Sequence, residues 1–80
     1  MPTVARVGPY RFYFWSREPH EPPHVHVSRE KNEAKFLLEP VVELAGNWGF
    51  ARHELNRIRG MVEHLREKLL EAWHDYFGKK

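Results

Sequence analysis

Seven apolar residues limit the folds open to this chain more than any other feature. Leu55, Ile58, Val62, Leu65, Leu69, Ala72 and Tyr76 follow one another at intervals of 3, 4, 3, 4, 3 and 4. A helix gathers residues at that spacing onto one side, and a strand scatters them over both faces. Met61, Leu70, Trp73 and Phe77 widen the stripe. That width suits a helix lying on a sheet better than the narrow seam of a coiled coil. Gly60 falls inside the pattern, costs about 1 kcal/mol against alanine, and marks a place where the helix could break in two. Gly78 supplies a stop, with Lys79 and Lys80 beyond it to complement the helix dipole. The helical part is therefore expected over about residues 51–77. Its start lacks a capping box, because Ala51 stands where Ser or Thr would precede Glu54 by three residues.

Upstream the period changes. Tyr10 to Trp15 is an aromatic run that favours a strand, with Tyr10, Phe12 and Phe14 on one face and Arg11, Tyr13 and Trp15 on the other. Residues 1–9 read as a lead-in closed by the Gly8-Pro9 breaker. Ser16 to Pro23, SREPHEPP, is a stiff polar loop, since Pro19, Pro22 and Pro23 exclude a helix. A second strand is expected from His24 to Ser28, a charged hairpin turn over 29–33, and a third strand from Ala34 to Leu38. Pro40 interrupts, a short fourth strand covers Val41 to Leu44, and Gly46-Asn47 closes the sheet region. The fold class is α+β: one domain over 1–80, with a small antiparallel sheet of three to four strands at about 10–45. A C-terminal helix or broken helix pair packs against that sheet.

Composition narrows the function classes. Eighty residues bury only about 60% of their unfolded surface, so the core is thin, and docking to a partner or a second copy is a common remedy. With no cysteine, disulfides, thiolate metal sites and thiol nucleophiles are excluded. No stretch approaches the roughly 20 apolar residues of a membrane span. The N-terminus lacks the pattern of an export signal, so a cytoplasmic protein with no membrane partner is expected. Residues 1–47 carry six Lys/Arg against six Asp/Glu, and residues 48–80 carry seven against five, which accounts for the net +2. No basic block stands out as a nucleic-acid footprint. Arg52, His53, Arg57 and Arg59 are better read as a solvated helix face than as phosphate contacts.

The chemistry-bearing stretch is EPPHVHV, Glu21 to Val27. On a strand, His24, His26 and Ser28 share one face and Val25 and Val27 the other. The valines belong to the core, and the histidines are expected to look outward or into a cleft. Three readings stay open. Two histidines at i, i+2 could ligate an ion such as Zn or Ni, with His20, Glu18 or Glu21 as the third ligand. As a catalytic pair, His24 and His26 could be general acid and base in RNA cleavage, with Arg17, Arg29 and Lys31 near for phosphate. As structure, the histidines hydrogen-bond locally beside Arg11, Tyr13 and Trp15. The surface of Arg11, Tyr13, Trp15, His24, His26 and Arg29 would then be a docking patch for a protein partner or for a second copy in a homodimer.

Several features taken together carry a family resemblance. They are EPPHVHV after a short aromatic strand, a charged hairpin, AKFLLEPVVEL, the Gly49-Phe50 pair, and a helix ending in LLEAWHDYF. From Tyr10 to Phe77 the chain resembles a family of small bacterial proteins catalogued as domain of unknown function 4160. Pro22, Pro23, His24, Val25, His26, Val27 and Trp73 match its signature. The resemblance implies a compact α+β domain and supplies no activity. It also implies a gene beside a second small uncharacterised gene, in pairs proposed as toxin–antitoxin modules. The chain is thus expected to be a protein-interaction module rather than an enzyme. The alternative is a small RNA-cleaving or metal-dependent enzyme using His20, His24 and His26.

Overall fold

The computed structural model describes residues 3–15 and 21–78. Among these described residues five strands run in chain order: β1 (Thr3–Val7), β2 (Tyr10–Tyr13), β3 (His24–Arg29), β4 (Asn32–Leu37) and β5 (Glu43–Trp48). They form one antiparallel sheet of order β1-β2-β3-β4-β5, and a single helix, α1 (Arg52–Phe77), crosses one of its faces.

The α+β class holds, and two expectations are corrected. The sheet has five strands, because Thr3–Val7 is no lead-in: it pairs antiparallel with β2 from Thr3↔Tyr13 to Val7↔Tyr10. The fourth strand expected at Val41–Leu44 is found at Glu43–Trp48, so Gly46 and Asn47 lie inside it. The helix is also unbroken. Gly60 points to open space, and beyond the adjoining helix backbone nothing lies within 4 Å of where its Cβ would be. A solvent-facing glycine costs a helix its propensity and nothing more. In the middle of the sheet, the β3–β4 turn shrinks to Glu30-Lys31, with Glu30 left-handed at φ 56°.

The core lies between the sheet and the helix. Phe12 pairs with Val27 and Val27 with Ala34, which puts the three side by side on the helix-facing side. From the helix, Ile58, Val62, Leu69 and Trp73 are buried against that face. These four are the centre of the expected stripe, and Tyr76 at its end remains 45% exposed. Phe14 closes one end, its ring 5.2 Å from Trp73 and edge-on. The turn into α1 is tied by Asn47, whose side chain both accepts from Phe50 N and donates to Phe50 O at 3.0 Å. Gly49 adopts φ 107°, and a Cβ there would collide with Asn32 Oδ1.

Polar ties fix the helix at two places. Glu54, in its first turn, accepts from Tyr10 Oη at 2.6 Å and from Arg29 Nε at 2.8 Å. Arg29, then Tyr10, holds the Glu54 carboxyl below the usual carboxylate range. Burial, followed by the Glu54 bond, pushes the Tyr10 phenol up. Further along, Arg66 Nε donates to Leu38 O at 2.7 Å and Arg59 Nη1 to Val42 O at 3.3 Å. These bonds satisfy carbonyls of the β4–β5 connection, which lies outside the strand ladders.

Candidate functional site

The sheet face turned away from α1 carries the site. Register places its side chains, because residues opposite one another across a ladder share a face. Arg11 stands opposite Ser28 and Tyr13 opposite His26. His26 in turn faces Lys35, and Ser28 faces Glu33. Across the next ladder Lys35 meets Gly46 and Glu33 meets Trp48. Those six pairs draw four strands into one surface.

Rings stack along it. The Arg11 guanidinium lies 4.5 Å from the centre of the Tyr13 ring. Tyr13 and His26 are near parallel at 5.5 Å and 21°, and His26 and Trp15 at 5.2 Å and 27°. The row thus reads cation, phenol, imidazole, indole. The His26 Nδ1 donates to Glu33 Oε2 at 3.1 Å, since a carboxylate can only accept. Burial, and after it the Glu33 charge, pushes the Tyr13 phenol above its ordinary value. Lys35 Nζ donates to Glu21 Oε1 at 2.8 Å.

Beside the row is an open hollow of about 350 Å³, lined by Trp15, His26, Glu33, Lys35 and Trp48. Trp15 and Trp48 remain 41% and 57% exposed. The Trp48 indole lies across Gly46, where a Cβ would sit 2.5 Å from its Cη2. Glycine at 46 is what lets the indole lie down on the sheet.

The structure separates the sequence-derived candidates. Arg11, Tyr13, Trp15 and His26 come together as one stack. His24 belongs to the seam at the end of the sheet. It is fully buried, donates from Nδ1 to Pro22 O at 2.9 Å, and sets its ring 5.0 Å from Trp73 and 5.2 Å from His26. Both histidines are therefore far less open than period two alone suggested, with His26 only 4% exposed. Arg29 lies with the helix-side residues, on Glu54. His20, Arg17 and Glu18 lie outside the described residues. Among the described residues no three His, Asp or Glu side chains converge as a metal set.

Three lining residues, Glu33, Lys35 and Trp48, escaped the sequence reading. The signal for two of them lies in the hairpin. A two-residue turn at Glu30-Lys31 fixes His26 opposite Lys35 and puts Glu33 on the diagonal.

This arrangement is set on a matched sequence. The profile of a family described as domain of unknown function (DUF4160) matches residues 10–74. The chain belongs to this family. The match takes in β2 through nearly all of α1, and with them Tyr13, Trp15, His26, Glu33, Lys35 and Trp48. No curated protein and no solved structure matches the chain. Among the described residues no helix is long and apolar enough to cross a membrane.

Proposed function

We propose that this DUF4160 chain is a protein-interaction module that docks its partner on the helix-free sheet face. It would be one component of a two-gene, toxin–antitoxin-like pair in the bacterial cytoplasm. One observation carries the docking reading. A hollow of about 350 Å³ opens between Trp15 and Trp48, two large rings left exposed on the face turned away from α1. Exposed indoles around a concavity are the anchors that dominate protein interfaces. The absence of cysteine fits a reducing compartment.

Burial of the histidines favours docking over acid–base chemistry. A general acid or base must come within hydrogen-bond reach of the group it serves. His24 and His26 expose 0% and 4% of their surface, and each has Nδ1 committed to an internal acceptor.

The test begins with wild-type chain and the Trp15→Ala/Trp48→Ala variant as baits. A captured protein is identified, purified and titrated back against both. Native mass spectrometry of the bait alone scores a second copy as the partner in the same way. The expected result is a complex weakened by about tenfold or more in the variant. Equal affinity for both baits would defeat the docking reading. RNA cleavage by wild type that His24→Ala or His26→Ala abolishes would replace it with the enzymatic one.

A further inference from the structure

The row Arg11–Tyr13–His26–Trp15 ends on an indole that still has open surface. Trp48 lines the same hollow, and Glu33 is the acid within it. The other charged lining residue is Lys35, whose ammonium is drawn to Glu21 at 2.8 Å. Glu21 lies outside the lining and engages Lys35, so Glu33, which accepts from the His26 imidazole, is the lining carboxylate that can face a ligand. A ligand that complements this hollow is cationic, is flat enough to lie on an indole, and carries N–H donors along its edge.

We propose that the hollow takes the guanidinium of an arginine side chain presented by the partner protein, which rests on the docking reading of the same face. A guanidinium is planar and weakly hydrated, stacks on aromatic faces, and presents paired donors to a carboxylate. An ammonium is compact and strongly hydrated, so it gives up more water and stacks less well. The molecule already makes the same kind of contact within itself, where Arg11 lies 4.5 Å from the Tyr13 ring centre at the far end of the row. Trp15 and Trp48 supply the aromatic surface for a second guanidinium, and Glu33 supplies the countercharge.

The experiment uses the full chain and the indole N–H signals of its three tryptophans in nuclear magnetic resonance. Trp73, 4% exposed and in the core, is the internal control. The probes are acetyl-Gly-Arg-Gly-amide, its citrulline and lysine counterparts, and guanosine monophosphate. The arginine peptide is expected to move the Trp15 and Trp48 signals saturably and leave Trp73 in place. Citrulline, the same shape without the charge, should bind about tenfold more weakly or worse, with lysine between them.

Glu33→Gln keeps an oxygen for His26 to bond and removes the charge, and it should weaken the arginine peptide by about tenfold. Trp48→Ala, a change at an exposed position, should weaken it at least as much. Equal binding of citrulline and arginine, or no loss in Glu33→Gln of unchanged melting temperature, would overturn the assignment. So would the absence of saturation up to about 10 mM arginine peptide. Guanosine monophosphate binding more tightly than the arginine peptide would make the hollow a base-stacking site instead. A partner complex that is lost in Trp15→Ala/Trp48→Ala, with the arginine peptide inert, would keep the docking face and remove only the guanidinium. Arginine binding with no protein partner would do the reverse.

Discussion

Beneath the helix, Phe12, Val25, Val27, Ala34 and Phe36 have no exposed surface, while on the other side of the sheet Trp15 and Trp48 keep 41% and 57% of theirs. The strands alternate their residues between two environments, and the environments do separate jobs. The covered face gains its free energy from apolar burial, with a polar latch of Glu54, Arg29 and Tyr10 at its rim. On the uncovered face the rings are ordered by one another, in a row whose members touch above the backbone. Stability and recognition can therefore be changed almost independently, one face at a time.

The largest expected effect tests that separation directly. Phe36→Ala should lower the unfolding free energy by about 3–5 kcal/mol in a urea titration, because it opens a cavity in the core. Trp48→Ala should change it by no more than about 0.5 kcal/mol. Comparable losses from the two would erase the distinction between the faces.

His24 sits where the faces meet, bonded to Pro22 O and against Trp73 of the helix. His24→Ala should cost about 1–3 kcal/mol through the orphaned carbonyl and the lost ring. A variant as stable as wild type would remove His24 from the seam.

The latch predicts a pH dependence. The folded Glu54 carboxyl lies below its ordinary value because Arg29 and Tyr10 favour its charged form. Its contribution is therefore complete above the ordinary carboxylate range, and it drains away as pH falls through the lower folded value. Melting temperatures of wild type and Glu54→Gln should differ at neutral pH and converge in acid. Parallel curves would show that the charge on Glu54 contributes nothing. The smallest change is expected from Gly60→Ala on the outer side of α1, a gain of about 0.5–1 kcal/mol by thermal denaturation. A loss there would mean that Gly60 is needed where it stands.

Much of the covered face was legible in the sequence, because burial writes a period into the chain. Ile58, Val62 and Leu69 repeat at helical spacing, and Val25 and Val27 alternate as a strand must. The misses are places where a local signal pointed one way and tertiary packing another. Thr3–Val7 is a half-exposed edge strand with Arg6 in it, so its pattern is faint. Gly46 reads as the end of a strand, yet it serves inside one as the floor for Trp48. Gly60 reads as a break, yet α1 runs through it without interruption from Arg52 to Phe77. Of the site, Arg11, Tyr13, Trp15 and His26 could be found because they crowd two strands, whereas Trp48 comes from a strand two ladders away from β3. The burial of His24 was not legible, since it depends on where the end of the helix comes down.

The strand order copies the chain order. Each strand is laid beside the one before it in the chain, so every sheet pairing joins neighbours in sequence. The helix that covers it is the last element in the sequence. Until α1 docks, a finished meander presents Phe12, Val25, Val27 and Phe36 to water, between edge strands whose outer hydrogen-bonding groups are open. The hazardous moment in the life of this protein is therefore the interval between the emergence of Trp48 and that of Trp73. A chain cut off within it would leave a sticky sheet in place of a folded domain.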